Sequence, residues 1–145
     1  MFADFDELLV HRPPAVVELA QRLRVAAHEA MPDLTERFYP HWEGLGLKHP
    51  AGGLLGTLFA RDGDVVVYLE RGASLPDPHG LLTGAERLRQ TRTLVFEPSA
   101  SAPAEPILVE YLDLALEHAL GRAGRPRAAG RRAGRRGDLV GRLDE

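Results

Sequence analysis

Residues 54 to 72, LLGTLFARDGDVVVYLERG, constrain the fold more than any other stretch of this chain. Two runs rich in strand-forming side chains flank Asp62 and Gly63, a pair favoured where both turn residues need positive φ, so the segment predicts a type I′ β-hairpin. An antiparallel sheet follows from it. Side chains alternate along a strand, so Val65, Val67 and Leu69 face one way, and Val66, Tyr68 and Glu70 the other. One face of the sheet is therefore apolar and the other partly wet.

Helical spacing bounds this hairpin on both sides. Pro13 and Pro14 suit a helix start, because proline has no amide hydrogen to lose in the first turn. From there Val16, Leu19, Ala20, Leu23, Ala27 and Ala30 recur on one face. Pro32 pushes Met31 off helical angles and stops the helix there. The next segment, PDLTERFYP, reads as a short helical turn with Leu34 and Phe38 one turn apart. HWEGLGLKHPAGG, rich in glycine, reads as a short irregular strand and a loop. A strand is expected through RLRQTRTLVF, with Leu88, Gln90, Arg92, Leu94 and Phe96 on one side and Arg87, Arg89, Thr91, Thr93 and Val95 on the other. Leu108, Leu112, Ala115 and Ala119 mark a closing helix, widened by Ile107, Tyr111 and Leu114, with Gly121 as its cap. The expected fold is α+β with two layers: an antiparallel sheet and the N- and C-terminal helices packed on one of its faces.

The chain's 145 residues are enough for one domain, expected at 1–120, followed by a tail at 121–145. It has no cysteine, which excludes disulfides, thiolate metal sites and a cysteine nucleophile. The start, MFADFDELLV, is acidic where a secretory leader needs positive charge, and no apolar run reaches the ~20 residues that span a bilayer. A soluble cytoplasmic protein with no membrane partner is expected. Eight arginines against Asp138, Asp144 and Glu145 leave the tail at plus five, so the body carries minus eight within an overall charge of minus three. With few apolar side chains, the tail is expected to be disordered alone. Its arginines from Arg122 to Arg136 can each meet a phosphate, and AGRPR resembles the Gly-Arg-Pro heart of a minor-groove hook, with Ala123 where that motif has arginine.

A helix ending in EAMPDLTE, then HWEG, a glycine-rich hairpin, VVVYLERGASLPDPHGLLTG, an arginine-bearing strand and a closing helix together resemble the YdhG-like family of domains of unknown function. The resemblance spans roughly residues 14 to 120. It implies a compact α+β fold similar to frataxin and little about chemistry, one branch of the family being described as an iron chaperone. Members often show Gly-x-Gly-Lys after the double leucine where this chain has GAERLR, which weakens any carry-over of an anion-binding role.

The loop from Gly72 to Gly84 is near the length beyond which unstructured connections are usually functional. Pro76 and Pro78 fix φ, Gly80 and Gly84 permit turns, and Leu75, Leu81 and Leu82 offer three apolar anchors. One reading is a rigid corner. The other places Asp77 and His79 at its tip, lining a pocket with Trp42 and an arginine of the following strand. Arg92, on the side of Leu94 and Phe96, needs a carboxylate if that row is buried, with Glu36, Glu43 and Glu70 as candidates. If a bulge shifts the register, Arg89 turns inward instead and becomes the ligand-binding candidate.

The six histidines include no pair three or four apart on a helix, so no chelating face is written into them. Glu110, Asp113 and Glu117 share one side of the last helix, where carboxylates suit a weak iron or calcium site or simply face water. Serines 74, 99 and 101 lack the setting of a nucleophile elbow, and HPAGGLLG lacks the lysine and hydroxyl of a phosphate loop. The expected function is thus a small-ligand-binding or accessory module without catalytic activity. Iron handling through the acidic stripe and nucleic-acid association through the tail are the alternatives.

Overall fold

The computed structural model describes residues 1–121; the tail expectations at Arg122 to Arg136 lie outside the described residues. The order is α1 (Phe5–Val10), α2 (Pro14–Ala30), β1 (Thr35–Tyr39), β2 (Gly44–His49), β3 (Gly53–Ala60), β4 (Val65–Leu69), β5 (Arg92–Phe96) and α3 (Ala104–Ala119). The strands form one sheet in the order β1-β2-β3-β4-β5, antiparallel at every pairing. Each strand thus pairs with its neighbour in sequence.

The unforeseen helix is α1. Its start is capped by Asp4, whose carboxylate accepts from the Glu7 amide at 2.8 Å, while Glu7 reaches back to the Ala3 amide at 2.7 Å. These two bonds satisfy amides that a helix start leaves without partners. Phe5, Leu8 and Leu9 are buried by it. Pro14 opens α2, and the helix ends at Ala30 with Met31 at φ −131°, as the following proline requires. Gly121 closes α3 at φ 76°, donating to the His118 carbonyl at 2.9 Å.

TERFY departs from expectation, being a strand and not a helical turn. GLGLKH is the short irregular strand expected there, pairing with both neighbours and shifting register between Leu47 and Lys48. The second departure is β5, which begins only at Arg92. Its partner β4 ends at Leu69, opposite Arg92, so residues before it have no ladder to join. The chain there turns helically instead, with the Arg87 and Leu88 amides both donating to Gly84. At the β3–β4 turn, neither Asp62 nor Gly63 takes positive φ, so the turn is not type I′. Arg61 and Asp64 close it, by a backbone bond of 2.9 Å and a guanidinium fork of 2.6 and 2.8 Å on the carboxylate.

One side of the sheet makes the core. Leu45, Leu47, Leu58, Val65, Val67, Leu69, Leu94 and Phe96 meet Val16, Leu19 and Leu23 of α2 and Leu108, Tyr111 and Leu112 of α3. Burying each such side chain contributes about 1.5–3 kcal/mol. A polar clamp joins α2 to β1 on this side. The Arg24 guanidinium donates to Glu36 at 2.8 and 3.0 Å and to Asp6 at 2.9 Å, and the His28 ring sits 2.9 Å from Glu36. Burial alone would raise the Glu36 carboxyl, but the bonds from Arg24 and His28 outweigh it and hold the group below its ordinary value.

Candidate functional site

The other side of the sheet carries the candidate site. Alternation puts Thr57 and Phe59 of β3, Val66 and Tyr68 of β4, and Gly44 and Gly46 of β2 on this face. The two glycines matter because large rings occupy the space above them. A Cβ on Gly44 would come 2.6 Å from the Phe59 ring, and one on Gly46 would come 2.6 Å from the Tyr39 ring. Phe59 meets Tyr68 edge-on at 5.1 Å, and Tyr39 lies 5.4 Å from Trp42. Glycine in β2 lets the aromatic rings lie down across the sheet.

Above this floor opens a groove of about 630 Å³, walled by Trp42, Phe59, Val66 and Tyr68 with the side chains of Thr57 and Thr91 between them. Charged groups stand at its rim: Arg12, Glu43, Arg61, Asp62 and Glu70. Arg12 arrives from the turn between α1 and α2 and is held by two bonds, to the Ala60 carbonyl at 2.7 Å and to Glu43 at 3.4 Å. Glu43 sits at φ 57°, the one non-glycine residue with positive φ among those described. Such a backbone costs about 1–2 kcal/mol, and here it brings Trp42 and Glu43 to the groove mouth. Asp64, locked to Arg61, titrates below its ordinary value because that hydrogen bond favours the charged form.

Trp42 is therefore in a groove, but not with Asp77 and His79. These two lie on the helix side, across the sheet. The Tyr111 hydroxyl, fully buried in α3, donates to Asp77, and Asp77 also accepts from the amides of Leu81 at 2.9 Å and Leu82 at 3.1 Å. Burial pushes the Asp77 carboxyl up, and the donations from Tyr111, Leu81, Leu82 and Gly80 overcome it and hold the group low. Tyr111 in turn is pushed up, by burial and by its bond to Asp77. The His79 amide donates to the Tyr111 oxygen at 3.2 Å, and its ring lies 2.7 Å from Glu110. All of this pins the loop to α3, so the geometry follows the rigid-corner reading. Leu75 is a buried anchor and Leu82 a partial one, whereas Leu81 is 42 % exposed and anchors nothing.

The arginines also resolve. Arg89 is exposed in the turn before β5. Arg92 shares the inward row, yet it donates to the carbonyls of Leu88 at 2.7 Å and Thr91 at 2.9 Å in place of a carboxylate bond. Glu36 is engaged by Arg24 and Glu43 by Arg12. In α3, Glu110 turns to His79, while burial and the Glu117 charge raise the Asp113 carboxyl. Among the described residues no three His, Asp or Glu side chains gather closely enough to hold a metal ion.

Sequence reasoning identified Trp42 and the partly wet row of Val66, Tyr68 and Glu70, but not Arg12, Glu43, Thr57, Phe59, Arg61, Asp62 or Thr91. The signal for Thr57 and Phe59 was present, since both share the parity of that row across the hairpin. Arg12 had none, because only the packing of α1 carries it over the sheet end. Chemically, the groove presents aromatic and aliphatic surface with polar groups at its edge, which is what retains a small amphipathic molecule. Among the described residues no helix is long and apolar enough to cross a membrane. Compared with protein-family models, with curated proteins and with solved structures, the chain matches none.

Proposed function

We propose that this chain is a non-catalytic binding module, and that the open face of its sheet holds a small, largely apolar molecule of aromatic size. The carrying observation is the groove itself: about 630 Å³, inside the ~300–1,000 Å³ range of small-molecule sites, with an aromatic floor, two threonines between the walls and charged groups at the rim. The YdhG-like resemblance accords with this reading because it implies a fold without an assigned chemistry.

Trp42 is the chain's one tryptophan and is 40 % exposed at the groove mouth, so its emission reports occupancy directly. Titration with the neutral fluorophore N-phenyl-1-naphthylamine is expected to quench Trp42 and brighten the probe together, saturating at one site. Tyr68→Ala, which removes one wall, weakens this binding by about tenfold, equivalent to the ~1.4 kcal/mol of one aromatic contact. If the probe never perturbs Trp42, or the variant binds it equally well, the groove is not the site.

A further inference from the structure

The two threonines between the groove walls are not equivalent. Thr91 spends its hydroxyl on the backbone carbonyl of Glu70, donating at 3.3 Å. Thr57, on the central strand β3, makes no side-chain hydrogen bond among the described residues. It is only 4 % exposed. Its methyl is turned toward β2, where a Cβ on Gly44 would come 2.8 Å from it. The Thr57 oxygen is nevertheless not sealed, because the one sealed side-chain polar atom without a partner among the described residues belongs to Thr93. What remains open of Thr57 faces the groove that it lines.

A hydroxyl placed there acts on ligands differently from the rings around it. Trp42, Phe59, Val66 and Tyr68 offer surface to any flat apolar body and discriminate little between one and another. A purely apolar ligand would shut solvent out of the Thr57 corner and leave its hydroxyl without a partner. An oxygen on the ligand restores the bond. Sites that hydrogen-bond their ligand reject the analogue lacking that group far more steeply than apolar pockets sort by size. The strand itself does not call for a hydroxyl. Valine has the same branched shape and suits a strand as well, and Val66 occupies the neighbouring strand on this face.

We infer that Thr57 is the specificity-determining contact of the groove, and that the ligand is an aromatic molecule bearing an acceptor oxygen, a carbonyl or hydroxyl. That oxygen accepts from the Thr57 hydroxyl while the ring lies against Trp42, Phe59 and Tyr68. This rests on the reading of the groove as a ligand site, and the two are separable by experiment. Acetophenone and α-methylstyrene have nearly the same shape, with a carbonyl oxygen in one where the other has a methylene. Each is titrated against the full-length protein carrying N-phenyl-1-naphthylamine, and displacement of that probe gives the two dissociation constants. The hydrocarbon is the more hydrophobic of the pair, so the diagnostic quantity is their ratio and how it changes with the side chain at position 57. Thr57→Val keeps the shape and removes the hydroxyl. It is expected to move the ratio about fivefold toward the hydrocarbon, the effect of one net hydrogen bond, by weakening acetophenone. Thr57→Ala should move it in the same direction, whereas Thr57→Ser, which keeps the hydroxyl, should leave it where it is in the parent. A ratio unmoved by valine and alanine, or moved equally by serine, overturns the role of Thr57 while the groove reading stands. Failure of acetophenone to displace the bound probe overturns it as well. If the probe and both compounds fail to bind a protein that circular dichroism shows to be folded, both readings fall.

Discussion

Thr93 offers a sharp test of the packing. It is the second residue of β5, 6 % exposed, and its hydroxyl oxygen is the one buried side-chain polar atom without a hydrogen-bond partner among the described residues. Its backbone is fully used: the amide donates to Thr83 at 2.9 Å and the carbonyl accepts from the Thr83 amide at 3.0 Å. Thr93→Val replaces the hydroxyl with a methyl of similar size and leaves those bonds alone. A buried hydroxyl with no partner costs roughly 1–3 kcal/mol relative to an apolar group of the same shape. Taking the low end, because neighbouring side chains relax, the variant should be more stable by about 1 kcal/mol. For a folded unit of this size the unfolding entropy is roughly 0.25 kcal/mol per kelvin, so the melting temperature should rise by about 4 °C. Urea unfolding followed by circular dichroism should show a higher midpoint at unchanged slope. A midpoint below that of the parent would mean that the hydroxyl is bonded in solution, and the reasoning would be wrong.

Two further outcomes follow from the polar clamps. Glu36 titrates below its ordinary value of 4.5, so its pairing with Arg24 and His28 stabilises the fold above that pH and is lost as pH falls through the lower folded-state value. Glu36→Gln should therefore cost about 1–2 kcal/mol near neutrality, and the difference from the parent should shrink in urea titrations carried below pH 4, roughly; a constant difference at all pH values would refute the assignment. Tyr111→Phe removes the donor to Asp77 from a fully buried position. We expect a loss of about 1.5–3 kcal/mol and faster amide exchange at Leu81 and Leu82, whereas protection unchanged at both amides would show that α3 does not hold the loop.

Local patterns in the chain were sufficient for the two layers. Apolar residues at helical spacing define α2 and α3, proline and glycine mark their ends, and the alternation around Asp62 and Gly63 defines the central hairpin with its dry and wet faces. These signals are short-range and survive because a helix cap or a two-residue period needs no distant partner. Tertiary structure decided everything that depends on what lies alongside. Leu34 and Phe38 are four apart, a spacing that serves one helical face or one strand face equally, and only pairing with β2 made TERFY a strand. In GLGL the glycines look like loop until Phe59 and Tyr39 are seen lying over them, when the same residues become the empty half of an alternating strand. The length of β5 was set by where β4 ends. Asp77, His79 and Trp42 went to opposite sides of the sheet because Tyr111 captured the loop, and Arg12 reached the groove because α1 folded over the sheet end. A site assembled from five separate segments has no local signature, since each of its side chains is positioned by packing that the others' sequence does not encode.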